Sequence, residues 1–87
     1  MGDRERLLAR MRATKAGWGQ DDVHALLVDF GFECEQGAKH RLYSHPKYPE
    51  LYMTVARHKS LAKGYISTAV RLVDRLRQME AQNEKRP

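Results

Sequence analysis

The feature that most constrains this chain is a change of hydrophobic period at Gly31. Before it, Val23, Leu26, Leu27 and Phe30 recur at helical spacing. After it, Phe32-Glu33-Cys34-Glu35-Gln36 alternates as a half-buried strand does, with Phe32 and Cys34 inward. A glycine at such a junction supplies the left-handed residue that ends a helix, and Phe32 can then fold back on the last turn. Gly37-Ala38-Lys39 is a tight connection, and His40 to His45 forms a second strand. Pro46 and Pro49 exclude regular ladder structure between them, so 46–50 is a turn. Leu51 to Ala56 forms a third strand, with Leu51, Met53 and Val55 on one face. Connections this short cannot cross over a sheet, so the three strands form an antiparallel meander.

Helices flank the meander. Asp3 to about Lys15 carries Leu7, Leu8 and Met11 at helical spacing, with Asp3 as the N-cap. The stripe is thin, so this helix has to dock on something. A second helix starts after Gly19, where Trp18 and Val23 suit a hydrophobic staple and Asp21 and Asp22 suit the positive end of the helix dipole. A final helix runs from about Tyr65 to Gln82, with Ile66, Ala69, Val70, Val73 and Leu76 inward and a frayed tail over 83–87. The expectation is an α+β fold in the order α-α-β-β-β-α, a three-stranded antiparallel sheet with helices on one face. A chain of 87 residues makes this one domain, an extra N-terminal helix over about 3–15 joined to a core over about 18–82.

No apolar run is long enough to cross a bilayer, the first residues lack the apolar core of a signal peptide, and Cys34 has no partner for an internal disulfide. These features point to a soluble cytoplasmic protein, away from membranes.

The net charge of +5 is unevenly spread. Lys39, Arg41, Lys47, Arg57, Lys59 and Lys63 face only one acid, Glu50, between residues 39 and 63, and His40, His45 and His58 lie in the same window. Asp21 to Glu35 holds five acids and no Lys or Arg. A polyanion is the natural partner of the basic half, and nucleic acid is the commonest polyanion; a merely solvated basic surface is the plainer alternative.

Phosphate-loop glycines, a Cys-x-x-C pair and a His-Glu-x-x-His motif are all missing from the sequence. Cys34 sits among glutamates, which suits a small core residue better than a nucleophile. A strand holds His40 and His45 on opposite faces, which argues against a zinc site built with His58. RNA cleavage without metal fits better. It needs a base for the 2′-hydroxyl proton, an acid for the leaving 5′-oxygen, and fixed positive charge for the transition state. His40 suits the first two roles, and Lys39, Arg41, Arg57 and Lys59 the third. Lys63, in the basic loop just before the last helix, offers a further phosphate contact. Tyr43 and Tyr52 are candidates for stacking on bases or for the core. His24 reads as a surface residue, and His45 before Pro46 as a turn former.

Gly31-Phe32-Glu33, Gln36-Gly37-Ala38-Lys39-His40, Leu42-Tyr43-Ser44-His45-Pro46 and Val55-Ala56-Arg57-His58 together resemble the HicA-family toxins of type II toxin–antitoxin pairs. The leucine-bearing first helix followed by Gln20 to Leu27 resembles a longer N-terminal form of that family, so the likeness spans roughly residues 4 to 80. In that family a Gly-Ser-His or Gly-Ser-Asn-His turn delivers a catalytic histidine onto the second strand. Gly37-Ala38-Lys39-His40 matches the longer form with Ala38 in place of Ser, and alignment from His45-Pro46 also lands on His40. Ala56 stands where a proline often precedes the late histidine. The resemblance implies a fold like double-stranded-RNA-binding domains and a metal-independent, cofactor-free endoribonuclease that cleaves mRNA through His40. It also implies Lys39, Arg41, Arg57, His58, Lys59 and Lys63 on phosphate, and a cognate HicB-like antitoxin covering the basic face. The alternative is a non-catalytic RNA-binding module on the same fold.

Overall fold

The computed structural model describes residues 3–85. Its elements are α1 (Asp3–Ala13), α2 (Gln20–Asp29), β1 (Glu33–Gln36), β2 (His40–Ser44), β3 (Tyr52–Ala56) and α3 (Lys63–Lys85). The α+β order α-α-β-β-β-α expected from the sequence is the order observed. The sheet runs β1-β2-β3 with both pairs antiparallel; Cys34 lies opposite Tyr43, and Tyr43 opposite Met53.

Side chains alternate across a strand, and burial here follows that alternation. Tyr43, Met53 and Val55 are buried against the helices with Leu26, Leu27, Ile66, Val73 and Leu76. His40, Leu42, Ser44, Tyr52 and Thr54 therefore project from the other face, joined by Glu33 and Glu35 of β1.

The period change at Gly31 is realised as a Schellman cap. Gly31 has φ of +92°, its N–H donates to Val28 O (3.0 Å), and the Phe32 N–H donates to Leu27 O (2.9 Å). At the other end of α2, the Gly19 N–H donates to the Asp22 carboxylate at 2.8 Å.

α1 docks on α2 and α3. Met11 is fully buried and Leu8 nearly so, while Arg12 forms a two-pronged pair with Asp74 (2.8 Å for each bond) and Arg77 pairs with Glu5. Arg12 holds the Asp74 carboxyl below the usual carboxylate range. The helix thus belongs to the same hydrophobic cluster as the rest of the chain.

Helix boundaries differ from expectation at three ends, and each strand is one residue shorter. α1 stops at Ala13, and α3 is longer at both ends than the span from Tyr65 to Gln82. Gly64 lies inside the first turn of α3, where the Thr68 hydroxyl donates back to Gly64 O at 2.9 Å. At the far end the Asn83 amide donates to the Tyr48 hydroxyl at 2.7 Å, so helix continues through Lys85 where a frayed tail was expected. Arg86 and Pro87, the rest of that tail, lie outside the described residues.

Two measurements check this packing. Met11→Ala should cost about 2–5 kcal/mol in chemical denaturation, as truncation of a fully enclosed side chain does. Tyr43 supplies a pH signature: burial pushes its phenol up to about 12, with Arg41 pulling the other way. Between pH 10 and about 12 the unfolded chain has released the phenolic proton and the folded chain has not. Stability should therefore fall as pH rises through that window, by up to about 1.4 kcal/mol per pH unit. Urea melts of Tyr43→Phe beside wild type should show this component of the alkaline loss removed.

Candidate nucleic-acid interface

The corner where β1 turns into β2 gathers most of the candidate residues. The Gly37 N–H donates to His40 O at 2.8 Å and closes the turn that carries Ala38 and Lys39. β3 ends beside it. The Arg57 N–H donates to Lys39 O (3.3 Å), and the Arg57 guanidinium donates to Gly37 O at 3.4 Å. Arg57 is thereby laid across the turn, and Lys39, His40 and Arg57 meet at one exposed corner of the sheet.

His40 lies opposite Ala56, the last residue of β3. Its ring is exposed on the face away from the helices and has no hydrogen-bond partner among the described residues. The bonded Lys39–Arg57 pair is next in register to His40–Ala56, so an unbonded imidazole and two cations share one corner that is open to a bound phosphodiester.

Past Arg57 the chain forms an exposed loop holding His58 and Lys59, and Lys63 opens α3. This loop is fastened by backbone bonds to the α1–α2 connection. The Gln20 N–H donates to His58 O (3.2 Å) and the Leu61 N–H to Trp18 O (2.8 Å). Gly19 passes so close that a Cβ there would stand 2.2 Å from Lys59 O. Leu61 is buried beneath the loop, and Trp18 packs at the edge of the core with its indole N–H donating to Thr14 O at 2.8 Å.

Arg41 does not join this group. It lies on the Tyr43 face of β2, its side chain is 14% exposed, and its guanidinium stands 3.7 Å from Asp21 of α2. The strand alternation already carried that information, since odd-numbered residues of β2 face the helices. His24, expected at the surface, is half-buried and bonded through Nδ1 to the Tyr43 hydroxyl at 2.8 Å. Tyr43 is a core residue, whereas Tyr52 is 61% exposed on the open face.

His45 is buried. It accepts the Lys47 N–H on Nδ1 (3.1 Å), packs edge-on to Phe32 and lies close against Gly31. It shapes the turn, as its place before Pro46 suggested. Cys34 is a free, half-buried thiol at the edge of the core. Among the described residues no three His, Cys, Asp or Glu side chains are grouped to hold a metal ion, and no helix is long and apolar enough to cross a membrane.

The open face is electrostatically divided. Glu33 and Glu35 line its β1 side, while Lys39, Arg57, His58 and Lys59 lie at the β2–β3 corner and in the loop beyond. An anionic ligand is drawn to that corner and away from β1.

Comparison with protein-family models, with curated proteins and with solved structures returned no match.

The fastening of the loop gives a direct test. Gly19→Ala must move the Lys59 backbone, so it should cost about 1–3 kcal/mol in thermal or chemical denaturation. The same variant, titrated with a fluorescent single-stranded RNA, should bind more weakly than wild type although no charge has changed.

Proposed function

We propose that this chain is the toxin of a type II toxin–antitoxin pair, a metal-independent endoribonuclease that cleaves mRNA in the cytoplasm with His40 as its catalytic residue. The observation that carries the reading is the exposed, unbonded imidazole of His40, next in register to the bonded Lys39–Arg57 pair. The resemblance of the same turn and its flanking strands to HicA-family toxins supports it.

In this mechanism His40 takes the proton from the ribose 2′-hydroxyl, or gives one to the departing 5′-oxygen. The 2′-oxygen attacks the adjacent phosphorus and the bond to the 5′-oxygen breaks. Charge that builds on the non-bridging oxygens is met by Lys39 and Arg57, with His58 and Lys59 in reach of neighbouring phosphates and Lys63 further along the strand path. Arg41, held against α2, supports the fold rather than the phosphate. A HicB-like antitoxin would silence the toxin by covering this corner.

One observation favours a second reading, RNA binding without cleavage. The turn carries Ala38 and Lys39 where the resembling toxins carry a serine, so the turn itself holds no hydroxyl.

A single experiment separates the two. Purified protein is incubated with RNA in EDTA beside His40→Ala, and RNA binding is measured for both. Under the toxin reading, cleavage falls by about 10²–10⁴-fold in the variant while binding is retained. Equal cleavage by the two proteins rejects the toxin and leaves the binding module. Binding that is weak and insensitive to salt in both proteins rejects RNA as the ligand.

A further inference from the structure

The outer edge of β3 is the end of the strand order, apart from the corner at His40. Two bonds fix which backbone groups of β3 are free. The His45 N–H donates to Leu51 O at 3.1 Å, and the Arg57 N–H donates to Lys39 O at 3.3 Å. In an antiparallel pair the residues that exchange bonds alternate with those that do not. The β2-facing positions of β3 are therefore 51, 53, 55 and 57, and the N–H and C=O of Tyr52 and Thr54 point away from the sheet. β3 is last in the strand order, so no strand lies beyond it among the described residues.

Beside that edge lies a groove of about 520 Å³, between Tyr52 and Thr54 on one wall and Ala62, Gly64, Tyr65 and Thr68 on the other. The helix wall is narrow where Gly64 stands, since that residue has nothing within 4 Å of a Cβ position. Gly64, Thr68, Arg71 and Arg75 follow one another at helical spacing, so the wall continues along α3 into two exposed arginines. Neither arginine is in an ion pair among the described residues.

β1, the opposite edge strand, carries exposed Glu33 and Glu35, charges of the kind that discourage edge pairing. β3 carries no charge from Tyr52 to Ala56.

We infer that the β3 edge binds an extended acidic segment of a partner protein as a fourth strand. The segment's backbone bonds to Tyr52 and Thr54, and its groove-facing side chains are apolar beside those residues and acidic farther along, where they meet Arg71 and Arg75. Charge selects this occupant. A second copy offers an edge with no charge from Tyr52 to Ala56 to these arginines, whereas an acidic strand is attracted to them. The assignment does not depend on chemistry at His40.

The test uses the full chain and a capped peptide whose groove-facing positions are Val, Val, Glu and Asp, Thr-Val-Thr-Val-Thr-Glu-Thr-Asp, with a version carrying lysine for both acids as control. Binding is followed by backbone amide NMR and amide exchange at moderate salt. The acidic peptide should slow exchange at Tyr52 and Thr54 and should bind about tenfold or more tightly than the lysine version. Thr54→Pro removes an N–H that faces outward, a place where an edge strand tolerates proline, and should abolish binding in a folded protein. Arg71→Ala/Arg75→Ala, changed only at the exposed helix surface, should weaken binding about tenfold or more whatever Thr54→Pro does to folding. Several results would overturn the inference: equal affinity for the two peptides, full affinity in the arginine double variant, or protection confined to β1. So would protection of Tyr52 and Thr54 by an oligouridylate, or a wild-type dimer that Thr54→Pro dissolves.

Discussion

The contact on which most of this structure depends is the backbone-to-backbone crossing of Trp18–Gln20 with His58–Leu61. It joins two connections far apart in sequence, one between α1 and α2 and the other between β3 and α3. Because Gly19 has no side chain, the two chains approach to a distance that an added Cβ would forbid. The crossing seats Leu61 and Trp18 in and against the core and leaves His58 and Lys59 outside it. A loop with this composition would otherwise sample many conformations, each basic group repelling the next. Here its course is set by neutral hydrogen bonds, so the charges need not stabilise it and remain free for a ligand.

A similar division of labour runs through the sheet. Its inner face is filled by Tyr43, Met53 and Val55, with His24 satisfying the one buried hydroxyl at its centre. Among the described residues no helix covers its outer face, which holds His40, Tyr52 and Thr54 beside the glutamates of β1. The half-buried Arg41 belongs to the inner face although it sits next to His40 in sequence. Its loose pairing with Asp21 draws on the acidic stretch over 21–35.

The fold was legible because each boundary had a local physical cause. The glycine at 31 could only end a helix cleanly, alternation ran through both β1 and β2, and the two prolines confined the turn at 46–50. Helix ends were less legible where tertiary contacts decided them: nothing local to Asn83 announces a bond to Tyr48. The candidate site was legible in part. His40, Lys39 and Arg57 could be named from residue type and spacing, but that Arg57 lies across the turn of Lys39 depends on sheet register, which composition does not carry. Arg41 was misassigned through its chemistry, although strand parity already placed it with Tyr43. His24 could not have been paired with Tyr43 from sequence, because the bond joins separate elements.

The two ion pairs between α1 and α3 have a kinetic meaning. Arg12 and Asp74 are 62 residues apart and Glu5 and Arg77 are 72 apart, while the strand pairs join neighbours in sequence across short turns. Near contacts form first, and contacts that close the longest loops form late. The α2 and meander segment can therefore organise before the first helix arrives. Docking of α1 then becomes the last step of assembly and, in reverse, the first way for the native molecule to open.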